Sequence, residues 1–107
     1  RLFMDINELS PSEVFSYFQE ICAIPHGSGN TGMIADYCLE FAKLHGLKAR
    51  KDAADNVVIF KAGSSGYEDR EPVILQGHLD MVCEKEPDCD IDMSEQSIKA
   101  CTDGKMG

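Results

Sequence analysis

The chain has 107 residues, of which 43% are hydrophobic and 27% charged, a composition typical of one small globular domain or a piece of a larger one. Nineteen acidic residues stand against ten lysines and arginines, which gives a formal net charge of −9. That charge disfavours nucleic acid and anionic membrane surfaces as partners, because both would repel the protein. No apolar run approaches the ~20 residues of a membrane-spanning helix, which disfavours an integral membrane protein.

The number and spacing of the cysteines indicate the cellular compartment of the protein. They form no CxxC pair and no closely spaced framework, and their number is odd. Free thiols in a reducing cytosol are therefore favoured over a secreted disulfide scaffold. Nothing near Arg1 resembles a signal peptide, so we expect a soluble, cytoplasmic protein. The five cysteines are Cys22, Cys38, Cys83, Cys89 and Cys101.

Two stretches carry the signature of amphipathic helices. In residues 10–24 apolar side chains recur at helical spacing, Ser10 can act as the N-cap, and Pro11 then takes the first helical position. In residues 31–46 the same spacing recurs, and Gly46 follows the last apolar position. Each pattern predicts a helix that packs one face on a core.

The spacing of apolar residues changes after the second helix. Residues 47–62 contain a weakly alternating run, the turn-forming "DAADN" and the β-branched "NVVIFKAG", which together predict two strands joined by a short turn. After a polar loop, Pro72 marks the start of "VILQGHLDMV", residues 73–82. This run is apolar enough to predict a central strand that is covered on both faces.

The remaining residues predict a loop and the beginning of a further strand. Residues 84–96 are strongly acidic and should form a solvated loop, and "SIKACTDGK" could start a strand that enters a turn at Asp103 and Gly104. The order helix, helix, hairpin, buried strand predicts an α/β architecture without specifying its topology. Because a hairpin turn without a returning strand leaves an edge unpaired, we expect the chain to be a fragment of a larger domain.

The strongest candidate site is the HxD motif within the predicted central strand. His78 and Asp80 lie two residues apart, so on a strand their side chains project from the same face. A neutral imidazole binds a metal through one nitrogen while an acceptor, commonly a carboxylate, holds its other N–H. At the carboxyl end of a parallel strand, both would lie where open α/β sheets place their ligand sites. The spacing alone leaves two interpretations open, a metal site and a structural histidine that is hydrogen-bonded to an acid.

Other candidate sites are weaker. Cys83 and Cys89 could join the histidine as zinc ligands, but their spacing matches no common zinc module, and nothing marks a cysteine as an activated nucleophile. The glycine-rich "PHGSGNTG" does not follow a strand and lacks the GK[ST] of a phosphate loop, so it is typical of a structural loop. The acidic residues 84–95 lack the DxDxDG spacing of a calcium loop. His45, at the end of the second helix, should contact the last-turn carbonyls.

Three segments together resemble one protein family. "EVFSYFQEICAIPHGSGNT", "DAADNVVIFKAG" and "PVILQGHLDMVCEKEPD" resemble the N-terminal part of aminoacyl-histidine dipeptidases, also called Xaa-His dipeptidases or peptidase D. This family is part of a clan of di-zinc exopeptidases that includes carboxypeptidase G and aminoacylase. The resemblance implies that residues 1–107 are the N-terminal portion of a zinc-peptidase domain, a mixed sheet flanked by helices, and that the lid domain is absent from the chain.

The resemblance also implies roles for the HxD motif. His78 would ligate one of two zinc ions, and Asp80 would be the active-site acid that fixes its ring. The reaction would be hydrolysis of Xaa-His dipeptides, including β-alanyl-histidine, by a water that the two zinc ions activate. The bridging aspartate, the general-base glutamate and the other ligands would lie beyond Gly107. We therefore expect the chain to be inactive alone, because catalytic zinc needs about three protein ligands.

Two other hypotheses compete with the dipeptidase. One is a self-sufficient, non-catalytic α/β module that binds a protein or a small ligand through its acidic loop. The other is a mononuclear zinc site formed by His78, Asp80 and a cysteine. For the dipeptidase we expect a dipeptide as partner and neither nucleic acid nor membrane, and the family allows a homodimer of the whole enzyme.

Overall fold

A computed structural model of the chain describes residues 4–96, 98 and 100–102. These described residues form two α-helices, four short strands and a 3-10 turn over Ile6–Glu8. The α/β architecture predicted from the sequence is confirmed. In chain order the elements are β1 (Met4–Asp5), α1 (Ser12–Cys22), α2 (Gly32–Leu44), β2 (Lys48–Lys51), β3 (Val57–Phe60) and β4 (Cys101–Thr102).

Helix α1 begins slightly later than the sequence predicts. Pro11 is the N-cap, with an extended backbone (φ −72°, ψ 133°) and no side-chain cap hydrogen bond. The prediction of Ser10 as the cap is therefore wrong, because the helical backbone starts only at Ser12. Cys22 is the buried residue of this helix, whereas Phe18 is 46% exposed. Much of the apolar face of α1 is thus accessible to solvent.

Helix α2 lies at the centre of the described core. Its buried residues are Ile34, Ala35 and Ala42, which share one face because they are one and eight positions apart along the helix. Helix α2 contacts both strands of the neighbouring hairpin. Small alanine side chains at two of the three positions allow the helix to approach the strands closely, which explains why they are completely buried.

The carboxyl end of α2 agrees with its prediction. Gly46 has a left-handed φ of 68°, which glycine adopts without steric cost, and its N–H donates to the Lys43 carbonyl at 3.1 Å. His45 Nδ1 lies 2.9 Å from the Phe41 carbonyl, so the expected contact with the last turn is confirmed. The Phe41 ring meets Tyr17 edge-on at a centroid distance of 5.4 Å, which ties this end of α2 to α1.

The predicted hairpin is also confirmed. Strands β2 and β3 pair antiparallel, with Lys51 opposite Val57. Asp52 organises the turn, because its Oδ1 accepts the backbone N–H groups of Ala54 and Asn56, each at 2.9 Å. The Asn56 side chain also donates to Asp52 Oδ2 at 2.9 Å, and this hydrogen bond is the main cause of the lowered pKa of Asp52.

The predicted central strand is not formed in this structure. Residues 73–80 are irregular, and Val73, Ile74 and Leu75 are 83%, 86% and 94% exposed. A strand needs hydrogen-bonding neighbours at its edges, and an apolar strand needs cover on its faces. Among the described residues neither is present along residues 73–78, so a sequence suited to a sheet interior lies in solvent.

The last described residues of the chain pair with the first strand. Residues 84–96 are irregular with short turns, as their composition predicts. Strand β4 pairs antiparallel with β1, with Asp5 opposite Cys101, and the predicted turn at Asp103 and Gly104 lies outside the described residues. Neither α1 nor α2 has the length and apolar character that crossing a membrane would require.

Candidate metal-ligand site

Two segments meet at the candidate site, the loop after α1 and the HxD segment, residues 78–80. The Met81 N–H donates to the His26 carbonyl at 2.9 Å, and the Ser28 N–H donates to the Met81 carbonyl at 3.1 Å. These two hydrogen bonds form a parallel bridge between Gly27 and Met81. The short ladder holds the glycine-rich loop directly beside the HxD segment.

The ring of His78 is anchored by Asp80 through one nitrogen. His78 Nδ1 lies 2.8 Å from the backbone oxygen of Asp80 and 3.0 Å from its Oδ1. Since both neighbours are acceptors, we assign the proton to Nδ1, which leaves Nε2 with a lone pair. The His78 side chain is 81% exposed, so the ring is accessible to a ligand. The structure therefore brings together the two residues that the HxD spacing singles out.

Asp80 is held from its other side by a residue that sequence reasoning missed. Ser28 Oγ donates to Asp80 Oδ2 at 2.5 Å. This hydrogen bond, followed by the one from His78, keeps the pKa of Asp80 below its ordinary value, because both stabilise the carboxylate. Asp80 is therefore ionised at neutral pH and accepts a hydrogen bond on each oxygen. No sequence pattern singles out Ser28, since the glycine-rich run around it predicts only a structural loop.

The cysteines do not complete a metal site. Cys22, Cys38, Cys83 and Cys89 are free thiols, as expected, and burial raises the pKa of the first two. A raised pKa disfavours the thiolate that a nucleophile or a zinc ligand needs. Over residues 4–96, 98 and 100–102, no three His, Cys, Asp or Glu side chains are grouped so as to hold a metal ion. The mononuclear site of His78, Asp80 and a cysteine is thus not assembled in the described part of the chain.

A depression of about 400 Å³ adjoins the loop after α1. The acidic loop folds back onto this loop, because Asn30 Nδ2 donates to the Ser94 carbonyl at 3.1 Å. Lys85 Nζ donates to the Ile91 carbonyl at 2.6 Å, which closes the acidic loop on itself. The depression is lined by Gly27, Ser28, Asn30, Cys83, Lys85, Asp90, Asp92, Met93 and Ser94, so it lies beside the HxD segment without including it.

Comparisons with known proteins agree with this description of the fold. The "Cytosol non-specific dipeptidase" of Escherichia coli (strain K12) is 37% identical over 101 residues, which cover 94% of this chain and 21% of that protein. The crystal structure of aminoacylhistidine dipeptidase from Vibrio alginolyticus matches with a TM-score of 0.82 and 37% identity, over 88% of this chain and 19% of that chain. No protein-family model matches the chain.

In sequence and in fold the chain is similar to a segment of two proteins that are named as dipeptidases, and the match extends over nearly the whole chain. More narrowly, the Vibrio alginolyticus protein is named as an aminoacylhistidine dipeptidase, so the resemblance of the three sequence segments to that family is confirmed. The chain spans about a fifth of the length of each relative, 21% and 19%.

Proposed function

We propose that this chain is part of a cytoplasmic di-zinc dipeptidase that hydrolyses Xaa-His dipeptides, including β-alanyl-histidine. The observation that carries the proposal is the His78–Asp80 pair, located in a chain that matches a dipeptidase over 94% of its length. The names of the two relatives support a dipeptide as the substrate, and the name of the Vibrio protein supports a C-terminal histidine.

In this proposal His78 ligates zinc through Nε2, and Asp80 holds the ring. The donor chemistry fits, because Nδ1 is committed to two acceptors and the exposed ring keeps a lone pair on Nε2. A bound zinc pair would supply a water of lowered pKa and a positive charge that polarises the scissile carbonyl. The ionised Asp80 accepts the Nδ1–H and so fixes the orientation of the imidazole.

His78 supplies a single ligand, so the site needs further residues. Catalytic zinc takes about three protein ligands, and the described residues contain no group of three that could hold a metal. We therefore propose that the remaining ligands and the general base belong to another part of the same protein, and that the 107-residue chain is inactive alone.

The exposed run 73–75 supports the same view of the chain as a portion of a larger catalytic domain. Complete domains seldom leave three consecutive large apolar side chains more than 80% exposed, because covering them is favourable. A self-sufficient binding module is disfavoured for the same reason. In our proposal residues 1–107 are the N-terminal portion of the zinc-peptidase domain, the lid domain lies outside them, and the whole enzyme is compatible with a homodimer.

The test is a pair of histidine substitutions in the full-length protein. His78 and His45 are both exposed, and both rings contact a backbone carbonyl through Nδ1, so His45→Ala is a matched control for His78→Ala. We expect His78→Ala to lose bound zinc, measured by metal analysis, together with hydrolysis of β-alanyl-histidine, whereas His45→Ala keeps both. Full activity of the His78→Ala variant in zinc-supplemented buffer would overturn the proposal.

A further inference from the structure

We propose that Ser28 is a positioning residue of the zinc site, acting on His78 through Asp80. The inference rests on the proposed function and adds to it a residue from the glycine-rich loop. The contacts form a continuous chain, from Ser28 Oγ to Asp80 Oδ2 at 2.5 Å and from Asp80 Oδ1 to His78 Nδ1 at 3.0 Å.

The hydroxyl of Ser28 matters because it restrains a carboxylate that is otherwise free to turn. The terminal torsion of an aspartate is broad, and the side chain of Asp80 is 40% exposed, so solvent can compete for either oxygen. With Oδ2 held by Ser28, the carboxylate plane is fixed and Oδ1 stays directed at His78. Without that hydrogen bond, the carboxylate can rotate away from the ring, and only the backbone oxygen of Asp80 still restrains Nδ1.

The position of Ser28 is built into the backbone. Its own N–H donates to the Met81 carbonyl at 3.1 Å, one residue beyond Asp80, and the preceding Gly27 is bridged to Met81. The Asn30 N–H donates to the Gly27 carbonyl at 2.8 Å, which closes a turn around Ser28. These backbone hydrogen bonds hold the loop in place, and the loop positions the Ser28 hydroxyl against Asp80. The contact therefore does not depend on two freely rotating surface side chains.

Neighbouring polar side chains in the same loop are engaged elsewhere. Thr31 Oγ1 donates to Asp55 Oδ2 at 3.0 Å, towards the hairpin, and Asn30 Nδ2 donates to the Ser94 carbonyl, towards the acidic loop. His26 Nδ1 lies 2.6 Å from the Ile24 carbonyl. Among these described side chains of the loop, the Ser28 hydroxyl is the one that contacts Asp80, so its loss has no ready substitute.

The experiment measures zinc affinity of the full-length protein by competition with a chromophoric chelator, using zinc alone as the probe. Ser28→Ala should weaken zinc binding by about tenfold, the lower end of the range found when a group that supports a metal ligand is removed. Ser28→Thr, which keeps the hydroxyl, should restore affinity to near the wild-type value. Ser65→Ala, at an exposed loop serine, is the control and should bind zinc as the wild type does.

Further outcomes separate this inference from the function on which it rests. If Ser28→Ala binds zinc like the wild type while His78→Ala does not, the role of Ser28 is refuted and the dipeptidase proposal stands. If Ser28→Thr is as weak as Ser28→Ala, the hydroxyl is not the active group, and the inference also fails. If His78→Ala itself keeps its zinc, the proposed function fails, and the inference fails with it. The urea midpoint of the zinc-free protein should be the same for wild type and Ser28→Ala, and a fall that accounts for the lost affinity would also refute a positioning role.

Discussion

Replacing Gly27 with alanine should weaken the contact between the loop after α1 and the HxD segment. Gly27 is buried against Cys83, and a Cβ at this position would overlap Cys83 Sγ. The same Cβ would lie 3.9 Å from Cys83 Cβ and 4.0 Å from the Met81 carbonyl oxygen, which are ordinary contacts. The clash therefore involves one sulfur atom, and a second substitution can remove it.

The loss of stability caused by Gly27→Ala depends on how easily Cys83 Sγ can move away. Inserting an extra carbon into a packed site costs about 1–3 kcal/mol. The Cys83 side chain is exposed and its thiol can rotate, which places the cost at the low end, about 1 kcal/mol. In the double variant Gly27→Ala with Cys83→Ala the overlap is gone, so most of this loss should be recovered, which gives a coupling energy of about 1 kcal/mol.

The assay is urea unfolding of the zinc-free, full-length protein for the wild type, both single variants and the double variant. Gly32→Ala serves as the control, because a Cβ at Gly32 meets nothing within 4 Å, and its free energy of unfolding should be unchanged or slightly higher. Additive effects within about 0.3 kcal/mol would refute the reasoning, since they would show that the thiol does not lie against Gly27.

Three further predictions concern the core, one tyrosine and the exposed run. Ile34 is 2% exposed, so Ile34→Ala should lower the free energy of unfolding by about 2–5 kcal/mol, whereas Met33→Ala, at a side chain that is 49% exposed, should cost clearly less in the same urea titration. Burial, followed by a hydrogen bond to Glu20 at 2.7 Å, raises the pKa of Tyr37 to about 12, so its share of stability is complete below pH 10 and is lost between pH 10 and about 12. Ultraviolet or NMR titration should show that Glu20→Gln lowers this pKa, and an unchanged value would contradict the contribution assigned to Glu20. In the isolated 107-residue chain the backbone amides of residues 73–75 should exchange hydrogen without protection, and slow exchange measured by mass spectrometry would show that the run is paired.

The elements that could be predicted from the sequence are those whose causes are local. Both helices and the hairpin follow from apolar spacing and turn residues within short windows, and Gly46 ends α2 as expected. The predicted N-cap of α1 is wrong because the choice between Ser10 and Pro11 depends on a backbone angle that composition does not reveal. The central strand did not form because a strand depends on neighbours, and its own composition cannot provide them.

The candidate site likewise contains one contact that could be predicted from the sequence and one that could not. The contact between His78 and Asp80 could be predicted because two residues on one strand face share a direction, and the contact is made even though the strand itself is not formed. The contact from Ser28 to Asp80 spans 52 positions along the chain. It depends on how the loop after α1 meets Met81, so no local pattern could have revealed it.

The ladder between His26, Ser28 and Met81 also has a consequence for the order of folding. Helix α2 and the hairpin contact each other across short sequence separations, so this unit closes small loops and loses little chain entropy when it forms. The ladder must close a loop of more than 50 residues, 28 to 81, for two hydrogen bonds. The α2–hairpin unit should therefore form first, and the hydrogen-bonded chain that orients His78 should form late, on a surface that is already folded.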